Sequence, residues 1–193
     1  MDPNACSLFE ALTTGASLIG NSRDVDRASE HIFHLLTDAY TLYGHGSYAT
    51  AAFLAITAFE ETAKSHIAMY RAVDHPVKRG KDPLLNHGKK HLLGALPSIA
   101  MGTRLGDALG QARVEQLLAE ARGGRLVALR EAALYVVLDT TGVRVPADVV
   151  TRERARELIL FAIEAFDDAL IGYTARSFET SKRTDTMFAA LAG

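Results

Sequence analysis

The sequence predicts an all-α domain, built as an up-and-down bundle of four to five main helices with short flanking helices. Alanine and leucine dominate, apolar residues recur at helical spacing in several stretches, and runs of alternating β-branched residues are nearly absent. The 193 residues suit one domain, since a chain of this size buries about two thirds of its unfolded surface. We therefore expect residues 1–193 to fold as one unit.

This unit has three expected parts: an N-terminal helix within 5–22, a bundle core over 23–176 and a C-terminal tail over 177–193. The N-terminal helix is expected to break near Gly15 or Gly20. The tail is polar after Phe178 and apolar again at Met187 and Phe188, so it could dock on the bundle or on a second copy.

Helical periodicity marks the two first long helices of the core. The first begins at an N-cap near Asn21 and ends at Gly44 or Gly46. Its apolar positions recur every three to four residues, at Val25, Ala28, Ile32, Leu35, Ala39 and Leu42. The second, over 47–72, is apolar almost all round, which places it in the middle of the bundle, and His75-Pro76 ends it.

Three shorter helices are expected at 84–100, 103–121 and 125–137. Pro97 kinks or ends the first of them, while Gly106 and Gly110 weaken the second. A turn and a short extended piece at 143–145 precede the last long helix, which Thr151 caps. Its apolar stripe runs through Ala155, Leu158, Ala162, Phe166, Ala169 and Tyr173.

Composition excludes several classes of protein. No apolar run reaches the roughly 18 residues that a membrane span needs, and no basic segment precedes the first apolar residues, so we expect neither a membrane protein nor a secreted one. A lone Cys6 suits a reducing compartment such as the cytoplasm. The net charge of −2 argues against a dedicated duplex-DNA binder.

The sharpest polar feature is Glu60-Glu61-Thr62-Ala63-Lys64, where the most apolar helix turns polar. Glu60 and Lys64 are four residues apart, so they share a helix face and can pair. A partly exposed salt bridge would explain that spacing. Carboxylates beside a buried helix nevertheless tend to have a partner or a task, because burying a lone charge is costly.

A basic cluster follows, in which His87, Lys90 and His91 share one face if a helix has begun there. Its other members are Lys78, Arg79, Lys81 and Lys89. Such groups could hold a phosphodiester while an imidazole moves a proton, although a solvated helix start is the simpler interpretation. A third group, Arg130 and Tyr135, is most simply explained by packing.

The sequence offers no support for a metal or a cofactor. No Glu has a His three residues after it, as a di-metal carboxylate bundle requires, and there is no Gly-x-x-x-x-Gly-Lys-Ser/Thr loop for nucleotide phosphates. His31 and His34 lack a matching set of acids. We expect a site without metal or cofactor.

The order of these groups resembles the AbiV family of abortive infection proteins, which belong to the HEPN class. The matching segments, over about 25–175, are Ala58-Phe59-Glu60-Glu61-Thr62-Ala63-Lys64, His87-Gly88-Lys89-Lys90, Arg130, Leu134-Tyr135-Val136, Asp139 and Pro146. The chain has Thr62-Ala63 where a residue followed by Gly is common, and Arg130 where Lys is expected. Neither departure changes a charge.

The resemblance implies a HEPN-like bundle, often dimeric, that acts in antiphage defence by shutting down host functions. Many relatives in this class are metal-independent ribonucleases with an R-x4–6-H motif. Arg27 and His34 satisfy the motif formally, but a chance match is expected in a chain with seven His. We interpret Arg27, His31, His34 and Asp38 as a solvated or inter-helix face.

The first functional hypothesis is metal-independent cleavage of host RNA at one end of the bundle. The candidate catalytic residues are His87, Glu61, Lys64 and Arg130. The candidate substrate-binding residues are Lys90, His91, Glu60 and Tyr135. His87 would act as general acid or base, the cations would stabilise charge on the phosphate, and Glu61 would orient a cation or the imidazole.

The second hypothesis is a non-catalytic protein that binds a phage or host protein, such as part of the translation machinery. The same charges would then form a buried structural network. Convergence in an open, basic cleft would favour the enzyme, and mutual pairing without an open face would favour the binder. The apolar end of the tail and the habit of the class suggest a homodimer, with no membrane association.

Overall fold

The computed structural model describes residues 19–70, 82–95, 103–140 and 142–193 and confirms the all-α prediction. Its helices are α1 (Ser22–Gly44), α2 (Tyr48–Ala68), α3 (His87–Gly94), α4 (Arg104–Leu109), α5 (Gln111–Arg122), α6 (Arg125–Ala132), α7 (Arg152–Leu170) and α8 (Ala175–Ala192). Single 3-10 turns lie at Pro83–Leu85 and Pro146–Asp148. The break at His75-Pro76, the kink at Pro97 and most of the N-terminal segment 5–22 fall outside the described residues.

Two of the expected helix starts have the capping hydrogen bonds that their sequences predict. The Asn21 side chain accepts a hydrogen bond from the N–H of Asp24 at 3.0 Å, and α1 begins at the next residue, Ser22. The Thr151 hydroxyl accepts one from the N–H of Arg154 at 3.1 Å, and α7 begins at Arg152. These bonds satisfy N–H groups that have no partner within the helix.

Helix α2 occupies the middle of the bundle, as its apolar circumference predicts. It packs against α1 on one side and α7 on another, while α3 and α6 lie against its remaining surface. The rings of Phe59 on α2 and Phe161 on α7 are 5.0 Å apart at the centre of the core. Short connections join α1 to α2 and α7 to α8, as in antiparallel neighbours. No helix within the described ranges is long and apolar enough to cross a membrane.

Several stretches differ from the expectation. The helix expected at 125–137 is α6, which ends at Ala132, and Tyr173, expected on the stripe of the last long helix, lies beyond the end of α7 and is exposed. The helix expected at 103–121 is divided into α4 and α5 at Gly110, whose φ of 83° lies in the left-handed region and interrupts the helical path. The residues expected as a tail, 177–193, lie mostly in α8, which packs on α7 and α1. Its apolar residues Met187, Phe188 and Leu191 are buried in the core of their own chain.

A small antiparallel hairpin follows α6. Its strands are β1 (Val137–Asp139) and β2 (Gly142–Arg144), with Val137 opposite Arg144 and Leu138 opposite Val143. The extended piece expected at 143–145 therefore exists in part as β2. Leu138 and Val143 are both exposed, so this hairpin is an apolar projection from the bundle surface rather than part of its core.

Helix α3 packs against α2, and the absence of a side chain at Gly94 makes room for this contact. A Cβ atom added at Gly94 would lie 2.8 Å from Cζ of Phe59 and 3.1 Å from Cβ of Ala63. The helix starts where the Asn86 side chain accepts a hydrogen bond from the N–H of Lys89 at 3.0 Å. This close contact carries the basic residues of α3 onto the acidic end of α2.

Candidate functional site

A buried carboxylate, Glu60 on α2, forms the centre of the most concentrated charge cluster on α2. Only 1% of its side chain is exposed, yet one of its oxygens has two close partners from α3. His87 Nδ1 lies 2.6 Å from Glu60 Oε2, and Lys90 Nζ lies 2.9 Å from the same oxygen. We call Glu60, His87, Lys90, His91 and Arg130 the Glu60 cluster.

The second oxygen of Glu60 lies near two further basic groups, but neither is oriented to donate a hydrogen bond to it. His91 Nε2 is 2.9 Å from Glu60 Oε1, and Arg130 Nε is 3.7 Å from it. Neither nitrogen has a hydrogen-bond partner within the described part of the chain, so both act on Oε1 through charge and dipole alone. The His91 side chain is completely buried and its ring lies 5.8 Å from that of Phe59.

These partners hold the carboxyl group of Glu60 in its ionised form. Burial acts to raise the pKa of Glu60, but the groups of His91, Lys90 and His87 outweigh it and lower the pKa to about 2. An ionised carboxylate can only accept hydrogen bonds, so the proton in the 2.6 Å contact belongs to Nδ1 of His87. In the neutral imidazole, Nε2 is then the nitrogen that can take up a proton.

His87 also marks the boundary between the buried and the exposed parts of the cluster. Its side chain is 43% exposed, whereas Lys90 behind it is 7% exposed. Lys64 is half-buried at the same end of α2 and pairs with Glu61, three residues before it. The arrangement thus offers an oriented imidazole and an ammonium group to solvent, above a buried carboxylate that has basic groups around both of its oxygens.

The structure brings seven of the eight candidate residues into one network and leaves Tyr135 beside it. Glu61 also approaches Lys90, whose Nζ lies 3.8 Å from Glu61 Oε1, so the two acids share that lysine. Arg130 packs over the Phe53 ring at 4.8 Å, which carries it from α6 to α2. Tyr135 follows the end of α6, where its N–H donates to the Glu131 carbonyl, and its side chain is exposed.

The structure differs from the expected roles in two respects. Glu61 was expected to orient the imidazole, but the hydrogen bond to His87 comes from Glu60. Glu60, Lys90 and His91 were expected at the substrate, but all three are buried. Glu61 instead pairs with the two lysines on either side of it.

The formal R-x4–6-H pair lies elsewhere, on α1. Arg27 and His34 are both exposed there, and so are His31 and Asp38 between and after them. The stripe is a solvated face along α1, as its sequence pattern suggests.

Sequence reasoning missed a second charge cluster, which joins α4, α7 and α8. The guanidinium of Arg104 donates hydrogen bonds to Glu164, Asp167 and Asp185, and it also stacks 4.3 Å from the centre of the Phe188 ring. We call Arg104 and these three acids the Arg104 cluster. No sequence motif predicts this cluster, because Arg104 is 60 to 81 positions from the acids along the chain.

In the Arg104 cluster, the carboxyl groups outnumber the cations. Burial raises the pKa of Asp167 to about 6, and the hydrogen bonds from Arg104 and Thr184 offset this effect only in part. Burial also raises the pKa of Glu164. The pKa of Arg104 is raised despite its burial, because Glu164 and Asp167 stabilise its charge. This cluster ties α8 to the bundle.

No group of three or more His, Cys, Asp or Glu side chains in the described segments is placed to hold a metal ion. The family model HEPN_AbiV, which describes AbiV, matches residues 25–165. That span contains all of the Glu60 cluster and both helices, α2 and α3, that build it. No curated protein matches the chain, and no solved structure does.

Proposed function

Because this chain belongs to the AbiV family of HEPN proteins, we propose that it acts in abortive infection as a cytoplasmic ribonuclease that needs no metal. The single observation that carries the proposal is the pairing of His87 with the buried carboxylate of Glu60 at 2.6 Å. A carboxylate that fixes the tautomer and direction of an exposed imidazole is the arrangement that acid–base catalysis requires.

In the proposed reaction, Nε2 of His87 takes the proton from a ribose 2′-hydroxyl. The 2′-oxygen then forms a bond to phosphorus while the bond from phosphorus to the 5′-oxygen breaks. The imidazolium returns its proton to the leaving 5′-oxygen, so the products are a 2′,3′-cyclic phosphate and a 5′-hydroxyl. One imidazole can perform both transfers because it gains and loses a single proton.

The surrounding cations divide into two roles in this proposal. Lys64 and the partly buried Arg130 stabilise the negative charge that grows on the phosphate oxygens. Lys90 and His91 are buried against Glu60, so we assign them to positioning: they keep Glu60 ionised and aimed at His87. Exposed Tyr135, one turn beyond α6, offers a ring on which a base can stack.

The test is RNA cleavage in EDTA, together with growth arrest on expression, for the wild type and His87→Ala. His31→Ala is the matched control, since His31 is an exposed histidine on α1 outside the cluster. We expect His87→Ala to lose about a hundredfold or more of the cleavage rate and to lose growth arrest, while His31→Ala keeps both. RNA cleavage or growth arrest by His87→Ala at the wild-type level would refute the mechanism.

A second candidate function is supported by a different observation, the apolar surface of the hairpin and its flanks. The exposed residues are Leu134, Tyr135, Val136, Leu138, Val143 and Val145. Surfaces of this kind commonly bind other proteins. In this alternative the chain is a non-catalytic partner of a phage or host protein, and the interior pairing around Glu60 is structural. Growth arrest that survives His87→Ala but is lost in Leu138→Asp would favour it.

Homodimer formation also belongs to the proposal, but the apolar end of the chain no longer supports it. Met187, Phe188 and Leu191 are covered by their own bundle. The hairpin surface is the better candidate for self-association, and the mass of the wild type compared with Leu138→Asp in solution tests it.

A further inference from the structure

A separate cavity lies in the groove between α1 and α8, and its lining is polar on both helices. Its volume is about 60 Å³. The lining consists of Asp26, Ser29, Glu30, Phe33, His34, Arg176, Ser177, Thr180 and Arg183. A single water needs roughly 10–15 Å³ of such space, so this cavity has room for a group of several heavy atoms.

Ser29 gives the first indication that the cavity receives a ligand. The residue is 3% exposed, and its Oγ atom has no hydrogen-bond partner in the part of the chain that the structure describes. Leaving a buried hydroxyl without a partner costs about 1–3 kcal/mol. A guest that hydrogen-bonds to Ser29 would recover that cost.

The charges around the cavity indicate the chemistry of the guest. The two carboxylates already have partners: Asp26 accepts a hydrogen bond from the Thr174 hydroxyl at 2.6 Å, and Glu30 pairs with Arg176 at 2.9 Å. Arg183 instead stacks 4.0 Å from the centre of the Phe33 ring and pairs with no carboxylate in the described ranges. The groups without partners are therefore mainly donors.

We propose that this cavity binds a terminal phosphate group. The Ser29 hydroxyl and the Arg183 guanidinium donate to the phosphate oxygens, and the exposed imidazole of His34 lies at the edge of the same cavity. The first turn of α8, which carries Arg176, adds the positive end of a helix dipole. A terminal phosphate offers three oxygens to these donors, one more than a carboxylate does.

The neighbouring acids set a limit on this affinity. Asp26 and Glu30 retain negative charge even though they are paired, so binding is expected to be modest and to weaken as salt screens the attraction of Arg183. The site is independent of the proposed RNA cleavage, since it shares no residue with the Glu60 cluster.

The test is an NMR titration of the full chain with inorganic phosphate, at an ionic strength held constant with chloride. Arg183→Gln and Ser29→Ala remove the two proposed donors. Arg27→Gln is the matched control, an exposed arginine on α1 outside the lining. His87→Ala removes the imidazole of the proposed RNA site, where phosphate could also bind.

We expect saturable shifts of the amides around Ser29 in the wild type, Arg27→Gln and His87→Ala. The dissociation constant should rise about tenfold or more in Arg183→Gln and severalfold in Ser29→Ala, as expected for the loss of a charge-assisted and a neutral hydrogen bond. No saturable shift in the wild type, unchanged affinity in Arg183→Gln, or equal affinity for acetate would each overturn the proposal.

A second arm identifies the source of the phosphate. A 5′-phosphorylated dinucleotide is compared with inorganic phosphate and with the same dinucleotide lacking the phosphate. Tighter binding of the phosphorylated dinucleotide assigns the cavity to a nucleotide end, and equal binding assigns it to free phosphate; both support the site. Equal binding of the dinucleotide that lacks the phosphate would overturn it.

Discussion

The Glu60 cluster and the Arg104 cluster are built from the same kinds of group in opposite proportions. Glu60 is one carboxylate among two cations and two imidazoles, and its pKa is lowered to about 2. Arg104 is one guanidinium among three carboxylates, and the pKa of its partner Asp167 is raised to about 6. Burial acts to raise the pKa of both acids, so the outcome is decided by the groups that surround each carboxyl: one lysine and two histidines outweigh burial at Glu60, whereas one guanidinium and one hydroxyl do not at Asp167.

The Glu60 cluster orients the imidazole of His87, whereas the Arg104 cluster attaches α8 to the bundle. The partners of Glu60 come from α3 and α6, and the second ring nitrogen of the exposed His87 has no partner among the residues that the structure describes. All three guanidinium nitrogens of Arg104 donate hydrogen bonds to acids of α7 and α8, and the guanidinium also stacks on Phe188. Arg104 is therefore not available to a substrate. The physical result of this cluster is the attachment of α8.

The largest effect is expected from Glu60→Gln, which keeps the shape of the side chain and removes its charge. Buried Lys90 would then have only the Glu61 carboxylate, 3.8 Å away, to offset its charge, and breaking a buried pair in this way costs about 3–5 kcal/mol. Urea unfolding of the variant measures this loss. Glu61→Gln is the control, because Glu61 lies nearer the surface, and it should cost less than about 1 kcal/mol. Equal losses in the two variants would contradict the central place of Glu60.

The pH dependence of stability should differ in sign between the two clusters. Glu60 has a lowered pKa, so its contribution is present above pH 4.5 and is lost as the pH falls towards about 2. Asp167 has a raised pKa, so the folded state holds its proton more tightly, and stability falls as the pH rises from about 4 to about 6.

Asp167→Asn tests the second of these slopes. The variant should lose up to about 3 kcal/mol of the stability change between pH 4 and pH 6, as seen in unfolding free energies across that range. Asp38→Asn, at an exposed acid on α1, serves as the control and should keep the wild-type slope. A slope that Asp167→Asn leaves unchanged would show that Asp167 ionises normally.

A smaller effect is expected at Gly94, which lets α3 carry its basic residues to Glu60. In Gly94→Ala the new methyl group would meet Phe59 at 2.8 Å, and overpacking of this kind costs about 1–3 kcal/mol. Gly88→Ala is the control on the same helix, since a Cβ there meets Asn86 Oδ1 at 3.5 Å. Thermal unfolding should show a lower Tm for Gly94→Ala and an unchanged Tm for Gly88→Ala. A lower Tm for Gly88→Ala alone would argue against the close packing of α3 on α2.

Sequence periodicity predicted the long helices well where apolar stripes and caps coincide, as at Asn21 and Thr151. It missed α8, because the first two turns of that helix are rich in Ser, Thr, Lys and Arg and the apolar residues come late, at Met187 and Phe188. A helix held by an ion cluster and a few apolar contacts near its C-terminal end lacks the long apolar stripe from which an amphipathic helix is predicted.

The members of the candidate site could be predicted in part, but their roles could not. Neighbouring helix positions point about 100° apart, and α2 is apolar almost all round, so nothing in its pattern says whether Glu60 or Glu61 faces inward. The answer depends on where α3 packs, which is set by Gly94. The Arg104 cluster was invisible for a related reason, since its groups meet only after α4, α7 and α8 have assembled.

The most direct test of the account is the rate of RNA cleavage against pH for the wild type and His87→Ala, both in EDTA. The wild-type rate should depend on pH, because the proposed mechanism needs His87 first to accept a proton and then to return it. His87→Ala should be slower by about a hundredfold or more and should lack that pH dependence, while it unfolds at nearly the same urea concentration. A folded His87→Ala protein with the wild-type rate and pH profile would contradict the account.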